Sequence, residues 1–316
     1  MKEKDISVFV PVFNEEASLD SLYQQLNLAL RGLGVNYEII FIDDHSNDSS
    51  LSILKDIAGK DANVKLIAFK RNYGQTAAMQ AGFENSSGKI VISIDADLQN
   101  DPADIPLLID KMKHGYDVVC GWRKNRKDKF VSRRIPSITA NWLISKITGL
   151  KLHDYGCTLR AYRSEAVKAI SLYGDMHRFI PVYAFWEGAS VAEITVNHRK
   201  RASGKSKYNI SRTYKVLLDL LTIKFLRDYS TRPSYLFGGI GLFLCFCASV
   251  LAAVSVAKKI LFGIFIHKDP LMLFAVMFFL MGTFCILEGL LAEIIIRFYH
   301  ESTHKPIYSV KERINF

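Results

Sequence analysis

Apolar residues in the first 120 positions occur in short runs separated by longer amphipathic segments. The runs are rich in Val, Ile and Phe, which favour strands, and they cover residues 6–12, 37–43, 64–69, 89–94 and 116–121. Between the first two runs, leucines recur at helical spacing on one face: Leu19, Leu22, Leu26, Leu30 and Leu33. The alternation predicts an α/β fold in which helices cover both faces of a mostly parallel sheet.

Polar residues follow three of the predicted strands at the point where each strand ends. In chain order they are Asn14, Glu15, Asp43, Asp44, Asp95 and Asp97. In an open parallel sheet, ligands bind beyond the carboxyl ends of the strands. The sequence therefore predicts one acidic site along that edge.

The fourth strand ends in VISIDADLQND, residues 91–101, where closely spaced acids follow a β-branched run. Repulsion between Asp95 and Asp97 would be costly without a cation, and Gln99 adds a neutral oxygen. Hard oxygen ligands suit Mg²⁺ or Mn²⁺ and leave positions for phosphate oxygens. An Asp-x-Asp motif alone is also common in surface loops. Its place after a buried strand, beside two other acidic strand ends, favours the metal site.

Two uncharged stretches stand apart from the rest of the chain, at 233–257 and 271–287, with apolar character continuing to Ile296. Both are long enough to cross a bilayer, although two buried helices of a soluble protein are the alternative. Basic residues flank the outer ends of the pair, which predicts that both termini are cytoplasmic. These residues are Arg227, Arg232, Arg297, Lys305, Lys311 and Arg313.

The segment 211–229, just before the first uncharged stretch, repeats apolar residues at helical spacing. We expect a helix in the membrane interface; a helix packed on the catalytic domain is the alternative. The predicted organisation is a catalytic domain at 1–210, a juxtamembrane segment at 211–232, transmembrane helices at 233–257 and 270–296, and a cytoplasmic tail at 297–316.

The chain is basic, with a formal net charge of +10 over 316 residues. No nucleic-acid-binding signature accompanies this charge, so lipid headgroups and phosphate-bearing substrates are the expected anionic partners. Clustered cations in 198–208 surround a glycine whose neighbouring backbone N–H groups could approach an oxyanion. The sequence has no GxGxxG after the first strand, no GxxxxGK[ST] and no GxSxG, so dinucleotide, P-loop and α/β-hydrolase chemistry lack their usual motifs.

Several motifs resemble those of family 2 glycosyltransferases with the GT-A fold. They are VPVFNEE, DDHSNDSS, RNYGQTAAMQAGF, DADLQNDP, the RxxGxSKY ending and the KPIYSVKE tail. More narrowly, the chain is similar to the polyprenyl-phosphate glycosyltransferases, and RNYGQ with DYGCTLRAYR leans toward the formamido-arabinose branch. His45 stands where the family commonly has glycine, which leaves the donor sugar open.

The resemblance implies roles for individual positions. Residues implied to bind the donor nucleotide are Pro11, Asn14, Glu15, Asp43, Asp44, Arg71 and Asp95. Residues implied to bind the metal are Asp95, Asp97 and Gln99. Residues implied to contact phosphates on the acceptor side are Arg123, Arg160, Arg201, Ser206 and Lys207. Catalysis would involve Asp97, Arg160 and Asp154, the last matching an acid often proposed as a base.

Asp154 need not be a strong base, because a phosphomonoester oxygen is already largely anionic near neutral pH. We expect Asp154 to orient Arg160 or the acceptor, with proton abstraction as the alternative.

The expected protein is a GT-A domain with interfacial helices and a two-helix transmembrane hairpin in the cytoplasmic membrane. It would transfer one sugar from a nucleotide-diphosphate donor, UDP-linked first of all, to polyprenyl phosphate with inversion. Its partners would be these two substrates, the bilayer and other copies of the chain, in a tetramer by resemblance. A processive polysaccharide synthase would need a channel that two spans hardly supply. A non-catalytic scaffold that binds nucleotide sugar is the other alternative.

Overall fold

The computed structural model describes residues 4–124, 135–168, 170, 176–199, 233–263, 265–266, 269–302 and 308–316. It divides into two compact units, one of residues 1–220 with 306–316 and one of residues 221–305. The predicted juxtamembrane segment, 211–232, lies outside the described residues.

The first unit alternates strands and helices through most of its length. Its strands are β1 Ile6–Val12, β2 Tyr37–Asp43, β3 Val64–Phe69, β4 Ile90–Ser93, β5 Val118–Trp122, β6 Arg160–Arg163, β7 Val191–Thr195 and β8 Val310–Ile314. Its helices are α1 Leu19–Arg31, α2 Ser50–Lys60, α3 Gln75–Asn85, α4 Ile105–Lys113, α5 Ile135–Thr148, α6 Ser164–Lys168 and α7 Ile180–Trp186.

The eight strands of the described residues form one sheet in the order β7-β5-β6-β4-β1-β2-β3-β8. The central strands β4, β1, β2 and β3 are parallel to one another. Residues on both faces of these strands are buried, as expected where helices cover a parallel sheet. The predicted α/β fold with a mostly parallel sheet is confirmed.

Helix α1 ends at Arg31, before Leu33, which is the last leucine of the predicted face. Four of its five leucines are fully buried. The helix begins at Leu19, and the residues before it form a turn in which the Ser18 hydroxyl donates to the Glu15 carbonyl at 2.9 Å. This turn leaves Glu15 in the loop after β1.

Antiparallel strands extend both sides of the parallel core. Strand β6 lies antiparallel to β4 and β5, and β8 lies antiparallel to β3. Strand β8 comes from the predicted C-terminal tail and covers an edge of the sheet that would otherwise expose unpaired backbone groups.

The second unit contains two long apolar helices, α8 Pro233–Phe262 and α9 Pro270–Ser302. Both are long and apolar enough to cross a membrane. Most of their large apolar side chains are exposed, as Phe243 is by 65% and Phe284 by 64%. A core helix of a soluble protein would bury such residues, so this exposure favours a lipid environment.

Glycines allow α8 and α9 to approach closely. A Cβ atom on Gly241 would lie 2.6 Å from the Gly282 carbonyl oxygen, and one on Gly282 would lie 2.7 Å from the Gly241 carbonyl oxygen. Small residues at such a crossing are typical of helix pairs in membranes.

Candidate active site

The loops after β1 and β2 are joined by hydrogen bonds that shape the acidic edge. Asn14 has a φ of 57°, a left-handed conformation that asparagine tolerates better than most residues. Its side-chain oxygen accepts the Asn47 N–H at 2.8 Å, and its own N–H donates to the Ser46 hydroxyl at 3.0 Å. The Glu15 N–H donates to the Ser50 hydroxyl at 3.0 Å. The two loops therefore form one surface.

Asp44 connects this surface to the loop between β3 and α3. Its carboxylate accepts the N–H groups of Tyr73 at 2.7 Å and Gly74 at 2.9 Å, and its carbonyl accepts the Asn72 side-chain amide at 3.2 Å. Burial raises the pKa of Asp44, and the two backbone N–H groups oppose that rise. Asp44 thus holds the β3–α3 loop at the edge of the sheet.

Asp43 faces its own loop. It is 1% exposed, and its carboxylate accepts the Ser46 N–H at 3.3 Å from each oxygen. Burial raises its pKa. These contacts suit a residue that shapes the loop, while the implied contact with the donor stays a prediction.

The loop after β4 brings the two predicted metal ligands together. Burial first, and then the charge of Asp97, raises the pKa of Asp95 to about 6. The Asp95 carboxylate accepts the Gln75 side-chain amide at 3.0 Å, and the Asp97 carboxylate accepts the Gln99 N–H at 3.1 Å. Two neighbouring carboxylates, one of them costly to ionise, form a donor set that a divalent cation would stabilise.

The ligands of this candidate metal site would all be oxygen atoms. Among the described residues, His, Cys, Asp and Glu side chains form no cluster of three that could hold a metal ion. A pair of carboxylates still fits Mg²⁺ or Mn²⁺, because such ions commonly take one or two carboxylates together with substrate phosphate oxygens. Gln99, whose carbonyl accepts the Arg199 N–H at 2.9 Å, is close enough in sequence to contribute a further oxygen.

An open cavity of about 370 Å³ lies along this edge. Its lining residues are Pro11, Val12, Phe13, Glu15, Asp44, Asn72, Gly74, Gln75, Ala78, Asp95, Ala96 and Asp97. The structure thus brings five of the predicted donor and metal residues to one cavity. The cavity is also lined by residues that the sequence had not assigned to the site, among them Phe13, Asn72, Gly74 and Gln75. The last three belong to the RNYGQ motif, which is the feature of the sequence that could have identified them.

Helix α3 begins at this cavity. Gly74 precedes it with a φ of 89°, a conformation that glycine adopts without strain. The first N–H groups of a helix favour an anion, so this end of the cavity suits phosphate oxygens. Arg71, in the same loop, is exposed and places its guanidinium 4.6 Å from the centre of the Tyr73 ring.

Arg123 and Asp154 form a buried ion pair near the acidic pair. The Arg123 Nε and one terminal nitrogen donate to the two carboxylate oxygens of Asp154 at 2.7 and 2.9 Å. Asp154 also accepts the Gly156 N–H at 3.0 Å, and its own N–H donates to Glu193 at 2.9 Å. The charge of Arg123 partly offsets the raised pKa of Asp95, so the guanidinium lies within electrostatic reach of the acidic pair.

This pairing corrects one expectation about Asp154. The sequence suggested that Asp154 orients Arg160 or the acceptor, whereas the arginine that the structure pairs with Asp154 is Arg123. The two residues meet because Arg123 follows β5 and Asp154 lies in the loop before β6, and these strands are neighbours.

Arg160 also differs from expectation. It is 2% exposed, and its guanidinium donates to the backbone carbonyls of Tyr155 at 2.6 Å, His177 at 3.3 Å and Arg178 at 3.4 Å. An arginine that is buried against three carbonyls is not placed to receive a phosphate. Arg160 instead ties the loop before β6 to the turn before α7.

Three predicted residues of the acceptor side, Arg201, Ser206 and Lys207, lie outside the described residues. Their implied contacts stay predictions.

Comparison with known proteins decides the family. Residues 7–171 match the model of the family described as glycosyl transferase family 2. Over 312 residues the chain is 39% identical to dodecaprenyl-phosphate galacturonate synthase of Rhizobium johnstonii, covering 98% of this chain and 92% of the relative. The chain belongs to glycosyl transferase family 2. It is therefore a glycosyltransferase, as expected from its motifs.

A second relative comes from the branch that the motifs suggested. Undecaprenyl-phosphate 4-deoxy-4-formamido-L-arabinose transferase of Pseudomonas fluorescens is 38% identical over 309 residues, which cover 97% of this chain and 89% of the relative.

Solved structures of similar fold confirm the GT-A architecture of this family 2 glycosyltransferase. Glucosyl-3-phosphoglycerate synthase from Mycobacterium tuberculosis, crystallised with Mn²⁺ and UDP-glucose, has a TM-score of 0.55 and 18% identity, over 70% of this chain and 79% of the other. A second structure of that enzyme, with Mn²⁺, UDP and phosphoglyceric acid, has a TM-score of 0.54 and 17% identity over 71% of this chain and 78% of the other. At this identity the likeness concerns the fold alone.

Proposed function

We propose that this glycosyltransferase moves a single sugar from a nucleotide-diphosphate sugar to the phosphate of a polyprenyl lipid, with undecaprenyl phosphate as the acceptor to test first. One observation carries the proposal: a cavity lined by acids suited to a metal-bound diphosphate lies beside a buried arginine suited to a second phosphate. The relatives that match nearly the whole chain are named for transfer to dodecaprenyl and undecaprenyl phosphate.

The donor would occupy the cavity between the acidic loops and the start of α3. Glu15 and Asp44 line this cavity together with Asp95 and Asp97, and we assign Glu15 and Asp44 to the polar contacts that a base and a ribose need. Asp95 and Asp97 would hold Mg²⁺ or Mn²⁺. When bound, the ion would neutralise charge on the diphosphate leaving group. UDP is the nucleotide to test first, because the resemblance in sequence implies it.

The acceptor's phosphate would meet Arg123. A guanidinium can donate from several N–H groups at once, so Arg123 can bond Asp154 and still present its charge toward a phosphate. Asp154 would fix the plane of the guanidinium and would not take a proton. Both of its oxygens already accept hydrogen bonds from Arg123 or from backbone N–H groups.

The reaction would be one displacement. An acceptor phosphate oxygen forms a bond to the anomeric carbon, and the bond between that carbon and the donor's diphosphate oxygen breaks with its electron pair leaving on the diphosphate. A single attack from the opposite side inverts the configuration. The attacking oxygen is already largely anionic near neutral pH, so no proton has to be removed in this step.

The two apolar helices would keep the enzyme at the membrane that contains its lipid substrate. An acceptor that stays in the bilayer requires a catalytic domain held near the surface, and α8 with α9 supplies such an anchor. We propose a multi-pass protein of the cytoplasmic membrane whose catalytic domain and termini are cytoplasmic. A tetramer, which the resemblance implies, is also a proposal.

The test is transfer of a radiolabelled sugar by the purified full-length protein. A panel of nucleotide sugars is offered with undecaprenyl phosphate in detergent, and the lipid product is analysed. We expect one donor to yield a lipid that carries one sugar through a phosphodiester. A polymer would indicate a processive synthase, and the absence of lipid product from every donor would favour the non-catalytic scaffold.

A further inference from the structure

The C-terminal strand β8 lies at the edge of the sheet, next to β3, the strand that leads into a loop of the donor site. Strand β8 pairs with β3, and the pairing shifts register between Ala68 and Phe69, just where the donor loop begins. In this subsection the donor loop means residues 70–74, which join β3 to α3. Tyr308 and Ser309 immediately precede β8, on the side of the strand that is nearest to that loop.

Tyr308 is fixed against both elements that flank the donor loop. Its ring stacks on Phe69 of β3, with centroids 4.9 Å apart and planes 24° apart. Its hydroxyl donates to the carboxylate of Glu84 on α3, and the Asn85 side-chain amide donates to that hydroxyl at 3.5 Å. The side chain is 6% exposed. Tyr308 therefore connects the strand before the loop to the helix after it.

Ser309 contacts the donor loop itself. Its carbonyl accepts the Lys70 N–H at 3.0 Å. Hydrogen bonds from Ser309 and then from Arg71 lower the pKa of the Tyr73 hydroxyl. The Tyr73 ring also meets Phe69 edge-on, with centroids 5.7 Å apart. The tail thus contacts the loop at its first residue and at Tyr73.

The loop has functional groups at the cavity but few apolar side chains of its own. The N–H groups of Tyr73 and Gly74 both donate to Asp44, and Asn72 and Gly74 line the cavity. Arg71 and Asn72 are exposed. A polar, exposed loop buries little surface that could fix its conformation. Its order therefore depends on contacts with residues outside the loop.

We propose that Tyr308 and Ser309 are positioning residues for the donor: they hold the loop of residues 70–74 in the conformation that presents its backbone to Asp44 and to the donor nucleotide. The proposal rests on the proposed function, because it assigns the cavity to a nucleotide sugar. A loop that is ordered before binding costs less entropy when the donor binds. Loosening the tail therefore weakens donor binding and leaves the acceptor side unchanged.

A purely structural role for the tail predicts a different result. Covering the edge of β3 protects the sheet and adds stability, and any substitution in residues 308–314 would then lower stability without changing donor affinity. Glu312 supplies the matched control: it lies in β8, close in sequence to Ser309, but pairs with Lys55 of α2 at 2.5 Å.

The variants are Ser309→Ala, Tyr73→Phe, the combination of both, and Tyr308→Phe, with Glu312→Gln as the control. The full-length protein is assayed in detergent for the KM of the donor, the KM of the acceptor and kcat. Loss of one hydrogen bond should raise the donor KM by roughly three- to tenfold. The donor KM of the double variant should be no higher than that of the more affected single variant, because both substitutions remove the same contact between residues 309 and 73.

Amide hydrogen exchange supplies a readout that needs no turnover. We expect faster exchange at Tyr73 and Gly74 in the Ser309→Ala and Tyr308→Phe variants, with exchange in β4 unchanged. If wild-type protein transfers no sugar from any donor, the proposed function fails, while the exchange data still decide whether the tail orders the loop.

The proposal is overturned if exchange at Tyr73 and Gly74 is the same in all variants. It is equally overturned if Glu312→Gln raises the donor KM as much as Ser309→Ala does.

Discussion

Both carboxylate oxygens of Asp154 already accept hydrogen bonds, so this side chain is suited to positioning a charge and not to taking a proton. It bonds Arg123 through two hydrogen bonds and accepts the Gly156 N–H. A bidentate pair fixes the geometry of the guanidinium, while a phosphate acceptor brings its own anionic oxygen. At the scale of single residues, the site thus needs positioned charges more than it needs a base.

Asp154→Asn tests this view. We expect kcat/KM for the acceptor to fall by roughly 100-fold, because a misplaced charge near the reacting atoms costs about that much. The pH–rate profile should keep its shape. Asp117→Asn is the control, since Asp117 forms a comparable but partly exposed pair with Arg163 at 3.2 Å. A variant that binds acceptor normally but loses the activity rise on the acidic side of the profile would identify Asp154 as the base.

The acidic pair is tested by Asp95→Asn and Asp97→Asn. Each should weaken Mn²⁺ binding in the presence of UDP and lower turnover at least about 100-fold, because a metal with one ligand fewer stabilises the leaving group poorly. Mn²⁺ binding is followed by electron paramagnetic resonance. Normal Mn²⁺ affinity in both variants would place the metal elsewhere.

At the scale of elements, the apolar helices depend on close contact between backbones. Gly241 and Gly282 face each other at a distance that excludes a side chain. In a bilayer, helix pairing relies on such packing because burial of apolar surface supplies little driving force. The hairpin should therefore be sensitive to the size of these two residues and tolerant at glycines that face outward.

Gly241→Val should lower the apparent melting temperature of the detergent-solubilised protein by roughly 5 °C or more, since overpacking costs about 1–3 kcal/mol. Gly239→Val is the control, because a Cβ atom on Gly239 meets no other atom within 4 Å. Equal melting temperatures for the two variants would show that α8 and α9 do not pack at this crossing.

The sequence and the structure agree best where local pattern determines the outcome. The parallel strands could be predicted from short apolar runs, and Asp95 with Asp97 from acids that end such a run. Strand β8 was missed, although Val310, Glu312 and Ile314 alternate with exposed residues, because a single polar strand is stable only on the edge of an existing sheet.

Long-range pairing explains the errors at the site. Arg123 and Asp154 are 31 residues apart, and only the antiparallel pairing of β5 with β6 brings them together. Arg160 lies in a short strand whose pattern does not reveal that its guanidinium is buried against carbonyls. The expectation that Asp154 orients an arginine is met by a different arginine.

At the scale of the whole molecule, the chain combines a sheet that carries an acidic cavity with two long apolar helices. The 39% identity to dodecaprenyl-phosphate galacturonate synthase covers 98% of the chain, so the similarity extends over both parts. A catalytic domain bound to a bilayer by its own chain meets a lipid acceptor by diffusion in two dimensions.

Removal of divalent cations should stop the reaction without unfolding the protein. We expect EDTA to reduce turnover by on the order of 100-fold or more and added Mn²⁺ or Mg²⁺ to restore it, because the leaving diphosphate loses its counter-charge. Melting temperature should hardly change, since the acidic pair lies in loops beyond the core strands. Full activity in EDTA would exclude a dissociable metal from the reaction.

The most direct measurement is a structure of the full-length protein with UDP and Mn²⁺. We predict Mn²⁺ density between the diphosphate and the carboxylates of Asp95 and Asp97, with the uridine beside Asp44. Nucleotide bound at a different place, or Mn²⁺ that is bound by neither carboxylate, would contradict the account.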